Sequence, residues 1–424
     1  MIRRRTVISG IMGSSLAHAA GLWLPAAGRA ATSEEPPSDI TASGDFDELW
    51  NTIGARYCFF GEKKTDWDQV RTLYRPQALA ATTIDEFTRV VHGVLGELYD
   101  AHTHLSNPPA GLRRWPLYDL MMEQRGDIAM VVAVEPGSAA ETAGIGAGAQ
   151  VIAVNGQPIG PLVQSLMPRC LTAPDPAAAA YALNVAVAGL TRQPRSLVIR
   201  TARGSPRTVD LPLSTIPSPP DVEWRVLDGA LGYVAIRSFG DEAVTESFNQ
   251  ALLALRDTRG LIIDVRGNGG GDTAVARPIM GRFITERRAY ARMRRRADSD
   301  DRTQLTPAWT EYVDPAGPFT YSNPVVALTN HWSASMAEGF PMGMRGIGRA
   351  TIVGSRMMEL GAAVFSLRLD RTGVDAQYSA EPVYDVQDQP RWHMKPDVEV
   401  APGGDILTEG IRVLNRLLPA RRPR

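Results

Sequence analysis

Two serines, Ser333 and Ser335, lie in the segment TNHWSASMAEGF at 329–340, between an apolar run and a helix predicted to begin near Met336. A serine at a strand-to-helix turn suits a nucleophile, because the first backbone N–H groups of the helix point toward the reacting atoms. Its hydroxyl is a weak nucleophile and needs an adjacent base. The segment therefore raises the hypothesis of acyl transfer to a serine.

A glycine-rich turn, RGNGGG at 266–271, follows the apolar run LIIDV. Consecutive glycines let backbone N–H groups approach a substrate closely, and in a parallel sheet such turns gather at the carboxyl ends of the strands. A serine nucleophile needs donors for the oxyanion that forms at the attacked carbonyl. We expect the amides of Gly270, Gly271 and Met336 to form this oxyanion hole beside Ser335. A tight turn without function is the alternative.

Histidine is a candidate base, since its pKa of about 6.5 suits proton transfer near neutral pH. His102 and His104 occur together in LYDAHTHL and would share one face of an extended segment. Asp100 precedes them and could fix the loop or the ring. His331 is closer in sequence to Ser335, but we expect it to be an exposed turn residue. Spacing alone does not choose among these histidines.

Composition limits the class of protein. The 424 residues are 44% hydrophobic and 21% charged, which is typical of globular proteins with two or three domains. A net charge of -1 gives no bulk attraction for nucleic acid. Cys58 and Cys170 are expected in different domains as unpaired, buried thiols. Nothing in the sequence calls for a metal or another cofactor, and the oligomeric state is left open.

Residues 1–30 have the pattern of an export signal, with a basic start, an apolar stretch and small residues before a predicted cleavage after Ala30. RRRTVI resembles a twin-arginine signal, and an uncleaved anchor is the alternative. Residues 31–44 are predicted to be a linker. After removal of the signal no run reaches the ~18 apolar residues of a membrane span. The sequence predicts an exported protein, periplasmic or extracellular.

Three regions follow the predicted linker. Residues 45–114 have helical patterns, including a capping box from Thr83 to Glu86. Residues 115–217 are predicted to form a small β domain. Strands are expected in it near 128–134, 151–154, 197–201 and 208–212. In residues 218–424 strands and helices alternate, which predicts a largely parallel sheet covered by helices.

The β domain contains EPGSAAETAGIGAGAQVIAVNGQPI, which resembles the signature of PDZ domains. The resemblance implies capture of a peptide through its carboxyl terminus by strand addition. Gln150 stands where an Asp is usual, and no GLGF-like carboxylate loop precedes the first strand.

The blocks GYVAIRSF, GLIIDVRGNGGG and PVVALTNHWSASMAEGF, following a PDZ-like region, resemble the peptidase family of C-terminal processing (tail-specific) proteases and tricorn protease. The resemblance implies an α/β fold in which a ClpP/crotonase-like catalytic domain over 218–424 follows an inserted PDZ-like domain and an N-terminal helical region. It also implies that Ser335 is the nucleophile.

The two branches of that family imply different bases. The processing proteases carry a lysine 25 positions after the serine, where this chain has Leu360. Leucine cannot accept a proton, and Lys63, Lys64 and Lys395, the only lysines, offer no easy substitute. LYDAHTHL resembles the LxDxHT block of the tricorn-like branch, which implies His102 as the base.

That branch orients its histidine with a glutamate, and the resemblance matches it to Glu381 in SAEPVYDV, with Asp100 as the second candidate. The predicted protein is thus an exported serine peptidase acting on a peptide or protein, with a serine–histidine mechanism. One alternative is a catalytically inactive, PDZ-containing peptide-binding protein of the same fold. The other is a metal-dependent amidohydrolase with zinc on His102 and His104.

Overall fold

The computed structural model of the protein describes residues 39–116, 118–201, 204–213 and 219–419. The predicted export signal and most of the predicted linker lie outside the described residues. The end of that linker is wrong, because residues from Asp39 onward belong to the first helix. Within the described ranges, no helix has the length and apolar character that crossing a membrane requires.

The described elements are as follows. The helices are α1 (Asp39–Arg56), α2 (Trp67–Ala80), α3 (Ile84–Gly96), α4 (Ala139–Thr142), α5 (Ile159–Ser165), α6 (Pro176–Ala188), α7 (Ala243–Ala254), α8 (Thr273–Gly281), α9 (Met336–Gly346) and α10 (Ile406–Leu417), with a short 3-10 helix at Arg391–His393. The strands are β1 (His104–Leu105), β2 (Leu120–Arg125), β3 (Ile128–Val134), β4 (Gln150–Val154), β5 (Gln157–Pro158), β6 (Arg195–Arg200), β7 (Arg207–Leu211), β8 (Val222–Leu227), β9 (Leu231–Ile236), β10 (Leu261–Asp264), β11 (Arg288–Met293), β12 (Trp309–Val313), β13 (Val325–Thr329), β14 (Ala350–Gly354), β15 (Ala362–Arg368), β16 (Asp375–Tyr384) and β17 (Val398–Glu399).

The central sheet has the strand order β17-β14-β13-β10-β9-β8 and is parallel except for the edge strand β8. Both faces are covered, as continuous apolar strands predict. Leu261 and Ile263 belong to the core that includes buried side chains of α7, α8 and α9, whereas Ile262 and Val326 pack with α10. The arrangement is a three-layer α/β fold whose strands β10 and β13 end side by side.

The β domain forms a separate sheet of order β2-β3-β4-β6-β7, with β5 paired to β4. Its four predicted strands are observed, each within two residues of its expected bounds. The Ala-rich stretch is helix α6, which starts after Asp175, whose side chain accepts from the N–H of Ala177. Its buried residues pack with those of the sheet in a core of their own.

The N-terminal helices pack on the hairpin β15–β16, which comes from the far end of the chain. Half of the predicted capping box of α3 is present. Thr83 accepts from the N–H of Glu86, but the Glu86 carboxylate accepts from Thr82 instead. Cys58 and Cys170 are buried, unpaired thiols in this one core, so their predicted placement in different domains is wrong.

Asp45 anchors this packing, because its buried carboxylate accepts from the N–H groups of Arg371 at 3.1 Å and Thr372 at 2.7 Å. The substitution Asp45→Ala leaves both donors without their acceptor, at roughly 1–3 kcal/mol each. We expect urea denaturation to show a loss of about 2–6 kcal/mol in the free energy of unfolding. The control Asp85→Ala removes an exposed pair with Arg89 and should cost several times less. Equal losses would contradict this role of Asp45.

Candidate active site

Ser335 lies between β13 and α9 with φ 54° and ψ -114°, a strained conformation for a residue other than glycine. Such strain persists where the surroundings impose it, often at active sites. Ser335 is half-buried. Ser333, in contrast, is fully buried, donates its hydroxyl to Val265 O at 2.8 Å and accepts from the N–H of Asn330 at 3.0 Å. Ser333 therefore holds the turn, and Ser335 is the serine placed to react.

The glycine turn at 266–271 and the serine turn, which carries Ser333 and Ser335, are in contact. The N–H of Ala334 donates to Asn268 O at 2.9 Å. A Cβ added to Gly270, whose φ is +104°, would lie 2.8 Å from Ser335 Cβ and 3.0 Å from Met336 N. Only glycine allows this approach. The sequence expectation that both turns meet at the ends of neighbouring strands matches the observed positions.

The three predicted oxyanion donors differ in their partners. The N–H of Gly270 donates to the side chain of Asn268 at 2.8 Å, so it does not face a substrate in this conformation. The N–H groups of Gly271 and Met336 make no hydrogen bond to any residue that the structure describes. Met336 also begins α9, where the helix dipole favours negative charge. Gly271 and Met336 are thus the available pair, while Gly270 provides close packing.

Glu338, expected to bond near the start of the helix, is fully buried and ties the serine turn to a distant segment. Its Oε1 accepts from the N–H of Ser335 at 3.0 Å and from the N–H of Leu360 at 2.8 Å. Burial raises the pKa of Glu338 to about 7, against the opposing effects of Arg391 and these two donors. Residue 360, where the family resemblance expects lysine, therefore lies beside the serine turn.

Leu360 also lines a cavity of about 310 Å³ together with Lys63, Asp100 and Ala101. The residues just before His102 thus line the same cavity as Leu360, whose N–H shares Glu338 Oε1 with the N–H of Ser335. Lys63 Nζ lies 3.2 Å from Tyr99 O, and burial lowers the pKa of Lys63. From its place in the sequence Lys63 was not expected to serve as a base, but the fold places it as a second basic group at this cavity.

Asp100 fixes the histidine loop. Its carboxylate accepts from the N–H of His102 at 3.0 Å and from the hydroxyls of Thr103 and Ser379, each at 2.8 Å. Burial alone would raise the pKa of Asp100, but the charge of Lys63 and these donors hold it below its ordinary value. Of the two roles expected for Asp100, the structure has it orienting the loop and not the ring.

The His102 ring is buried, and its Nδ1 has no hydrogen-bond partner. Burial lowers the pKa of His102 to about 4, although the charge of Asp100 acts in the opposite direction. The imidazole is therefore neutral near pH 7 and able to accept a proton. Within the described part of the chain, no hydrogen bond joins its ring to Ser335 Oγ. Such bonds are often long in free enzymes.

Glu381 does not contact His102 in the structure. It lies on β16 and forms an ion pair with Arg295 at 3.2 Å. Burial raises the pKa of Glu381, and Arg295 opposes that effect. The expectation that Glu381 orients the imidazole is therefore not met in this conformation, because strand β16 directs its carboxylate to a different partner.

His104, the other half of the suspected zinc pair, has different contacts. Its ring stacks on Trp115 with 3.8 Å between centroids, and its Nδ1 lies 2.9 Å from Leu105 O. Among the residues with described positions, no three His, Cys, Asp or Glu side chains converge in a metal-binding arrangement.

A cavity of about 370 Å³ opens beside Ser335. Its lining is mainly apolar, with one buried cation, Arg391. Lining residues include Gly271, Tyr290, Met293, Met336, Met342, Val364 and Val383. Arg391 and Asn268 were not anticipated from the sequence. The place of Asn268 inside the glycine turn could have indicated it, whereas no local pattern marks Arg391.

Parts of the chain match known protein families. Residues 230–400 match the model of peptidase family S41, and residues 41–96 match the tricorn protease C1 domain. A tricorn protease homolog of Streptomyces coelicolor is 27% identical over 250 residues, which is 53% of this chain. The carboxy-terminal processing protease CtpB of Bacillus subtilis is 29% identical over 150 residues, or 35% of this chain. The matches span only 20% and 28% of the lengths of these relatives.

Solved structures show the same fold. Mature CPAF in complex with lactacystin superposes with a TM-score of 0.59 at 15% identity, covering 89% of this chain and 97% of the other. The photosystem II D1 C-terminal processing protease gives a TM-score of 0.54 at 19% identity, with coverages of 88% and 97%.

Glu338 predicts a pH dependence of stability. Its pKa of about 7 lies above the ordinary 4.5, so between these values the unfolded chain releases a proton that the folded protein keeps. Stability is therefore lost as pH rises from about 4.5 to about 7, by up to about 3 kcal/mol. Urea denaturation should show this fall for wild type relative to Glu338→Gln, whose amide oxygen still accepts both N–H groups. Parallel curves would contradict it. The exposed control Glu286→Gln should leave the wild-type slope unchanged.

Proposed function

The chain belongs to peptidase family S41, and on that premise we propose that it is a serine peptidase with Ser335 as nucleophile and His102 as general base. The observation that carries the proposal is the contact of the two turns: Gly270 packs against Ser335, and the N–H groups of Gly271 and Met336 have no partner among the residues with described positions. A strained, half-buried serine beside two free donors fits attack on a carbonyl.

The reaction proceeds in two halves. Ser335 Oγ attacks the substrate carbonyl while the neutral imidazole of His102 takes the hydroxyl proton, and the oxyanion accepts from Gly271 and Met336. His102 then gives that proton to the leaving amine as the C–N bond breaks, which leaves an ester on Ser335. Water, deprotonated by His102, hydrolyses the ester and restores the serine. Asp100 acts by holding the loop.

The region at 115–217 is proposed to be a PDZ-like module that binds the substrate polypeptide near its carboxyl terminus. Support comes from its five-stranded antiparallel path with a short helix after Ser138 and from the resemblance of its central segment. The indole N–H of Trp332, in the serine turn, donates to Tyr118 O at 2.9 Å. Peptide bound to this region would therefore be held near the reacting serine.

We also propose export to the periplasm or the extracellular space, on the basis of the signal-like pattern in residues 1–30. A second candidate function is peptide binding without hydrolysis. It is favoured by Leu360 in place of a lysine and by an imidazole that no carboxylate orients. An amidohydrolase is not proposed, because His104 is occupied with Trp115 and Leu105.

Labelling with a fluorophosphonate probe tests the proposed pair. Ser335→Ala should abolish labelling, and His102→Ala should slow it by about 10²-fold or more. The exposed control His393→Ala should have no effect. The wild-type rate should stay level from pH 8 to about 5 and fall toward pH 4, because protonation of His102, with its pKa of about 4, removes the base.

The other possible outcomes of this experiment would indicate a different base or a different function. Labelling that survives His102→Ala but is lost in Lys63→Met would make Lys63 the base. A folded wild type that neither labels nor cleaves a peptide library, yet binds those peptides, would establish the binding protein instead.

Gly270→Ala tests the contact of the two turns. The added methyl group would lie 2.8 Å from both Ser335 Cβ and Ala334 O, so the serine turn must shift away from its donors. We expect the labelling rate to fall by about 10²-fold, the scale of a lost oxyanion donor. The matched control is Gly269→Ala in the same turn, where an added Cβ meets nothing within 4 Å. Equal rates for the two variants would show that the packing is unimportant.

A further inference from the structure

We propose that Arg391 is a carboxylate-binding residue in the cavity beside Ser335, so that the protein prefers substrates that place a carboxylate in this cavity. This inference rests on the proposed peptidase function and names its substrate class. The carboxylate has two sources, the side chain of an Asp or Glu next to the scissile bond or the free carboxyl terminus of the substrate.

The position of Arg391 supports the proposal. The residue is only 5% exposed, yet it lines the cavity that opens at Ser335. Its Nη1 lies 3.2 Å from the point where a Cβ on Gly339 would sit. Gly339 belongs to α9, one turn after Ser335, and also lines the cavity. A side chain there would crowd both the guanidinium and the thioether of Met336, so glycine at 339 lets Arg391 approach α9 closely at the cavity wall.

The hydrogen bonds of Arg391 are incomplete. Nη2 donates to Leu360 O and to Ala362 O. A guanidinium has five N–H groups. Those on Nε and Nη1 have no acceptor among the described residues, and Nε is completely buried. Buried donors are nearly always paired in proteins, and a bound carboxylate would supply Arg391 with an acceptor that the described residues do not.

The charge of Arg391 also lacks a fixed partner. Across the described ranges, no carboxylate lies within 4.0 Å of its guanidinium. Glu338 is the acidic group that acts on it most strongly, but its Oε1 already accepts from Ser335 and Leu360. Asp272 lines the cavity and accepts from the N–H of Ala274 at the start of α8. A buried cation without a partner is costly, and a bound carboxylate would remove that cost.

The other residues that line the cavity indicate the chemistry of the rest of the ligand. Met293, Met342, Val364 and Val383 offer apolar contact to a short methylene chain. A group that combines such a chain with a terminal carboxylate matches both parts of the cavity. An arginine fork binds a carboxylate with geometric specificity that a lysine lacks.

Matched peptides test the proposal. One pair differs only by Glu or Gln before the scissile bond, and each peptide is made with a free and an amidated carboxyl terminus. We expect wild type to favour one carboxylate-bearing form by about 10-fold or more in kcat/KM. Preference for Glu over Gln identifies the side chain, and preference for the free terminus identifies the terminal carboxylate. Arg391→Met should abolish this preference, so that its kcat/KM values for the carboxylate-bearing and the neutral peptides differ by less than about 3-fold.

Controls separate this role from a structural one. Arg345→Met removes a surface arginine of α9 that pairs with Asp397 and should leave the preference intact. Arg391→Lys keeps the charge and should retain part of it. A wild type without any carboxylate preference, or an Arg391→Met variant that loses activity equally on all peptides, would overturn the proposal. In the second case Arg391 only holds Leu360 and Ala362.

If the proposed peptidase function is wrong, the experiments give a different result from the one that would overturn the role of Arg391. A wild type that is not labelled by the fluorophosphonate and cleaves none of the peptides refutes the peptidase proposal. Fluorescence anisotropy of the same peptides with the folded protein then decides the role of Arg391. The role of Arg391 is supported if wild type binds the neutral peptide about 10-fold more weakly than the carboxylate-bearing peptide and Arg391→Met shows no such difference. Equal binding overturns it.

Discussion

One buried carboxylate oxygen holds the candidate site together. Glu338 Oε1 accepts the N–H of Ser335 and the N–H of Leu360, so the serine turn and a wall of the cavity that Asp100 lines share an acceptor. Hydrogen bonds to a buried acceptor are strong because water cannot replace them. The strained backbone of Ser335 is maintained by this bond and by the contact with Gly270. The glycine turn, the serine turn and the segment before β15 therefore behave as one unit.

Burial shifts the pKa values of the ionisable groups of the candidate site in a single direction, toward the neutral form. It lowers the pKa values of His102 and Lys63 and raises that of Glu338. Burial lowers the pKa of Arg391 as well, but a guanidinium stays charged in proteins. The site thus combines the neutral imidazole of His102 with the permanent cation of Arg391. Such an arrangement favours a reaction in which the substrate, and then the oxyanion, brings the negative charge.

The sequence predicted the parts of this site that depend on local patterns. Ser335 and Gly270 lie in short turns after apolar strands, and the parallel sheet brings those turns together. Contacts between distant segments were not predictable in the same way. The pairing of Glu381 with Arg295 depends on how β16 is aligned with β11, and the entry of Cys170 into the N-terminal core depends on the path of a long loop. No periodicity in the sequence encodes either contact.

The hydrogen bond from Ser379 to Asp100 has a consequence for the order in which the site forms during synthesis. The histidine loop is made early, but Asp100 gains this bond, and β1 gains its partner strand, only after β16 has left the ribosome. Chains shorter than about 380 residues lack the strand that fixes His102, although Ser335 and both turns are already present. The histidine loop would thus gain its last contacts only when almost the whole chain has been made.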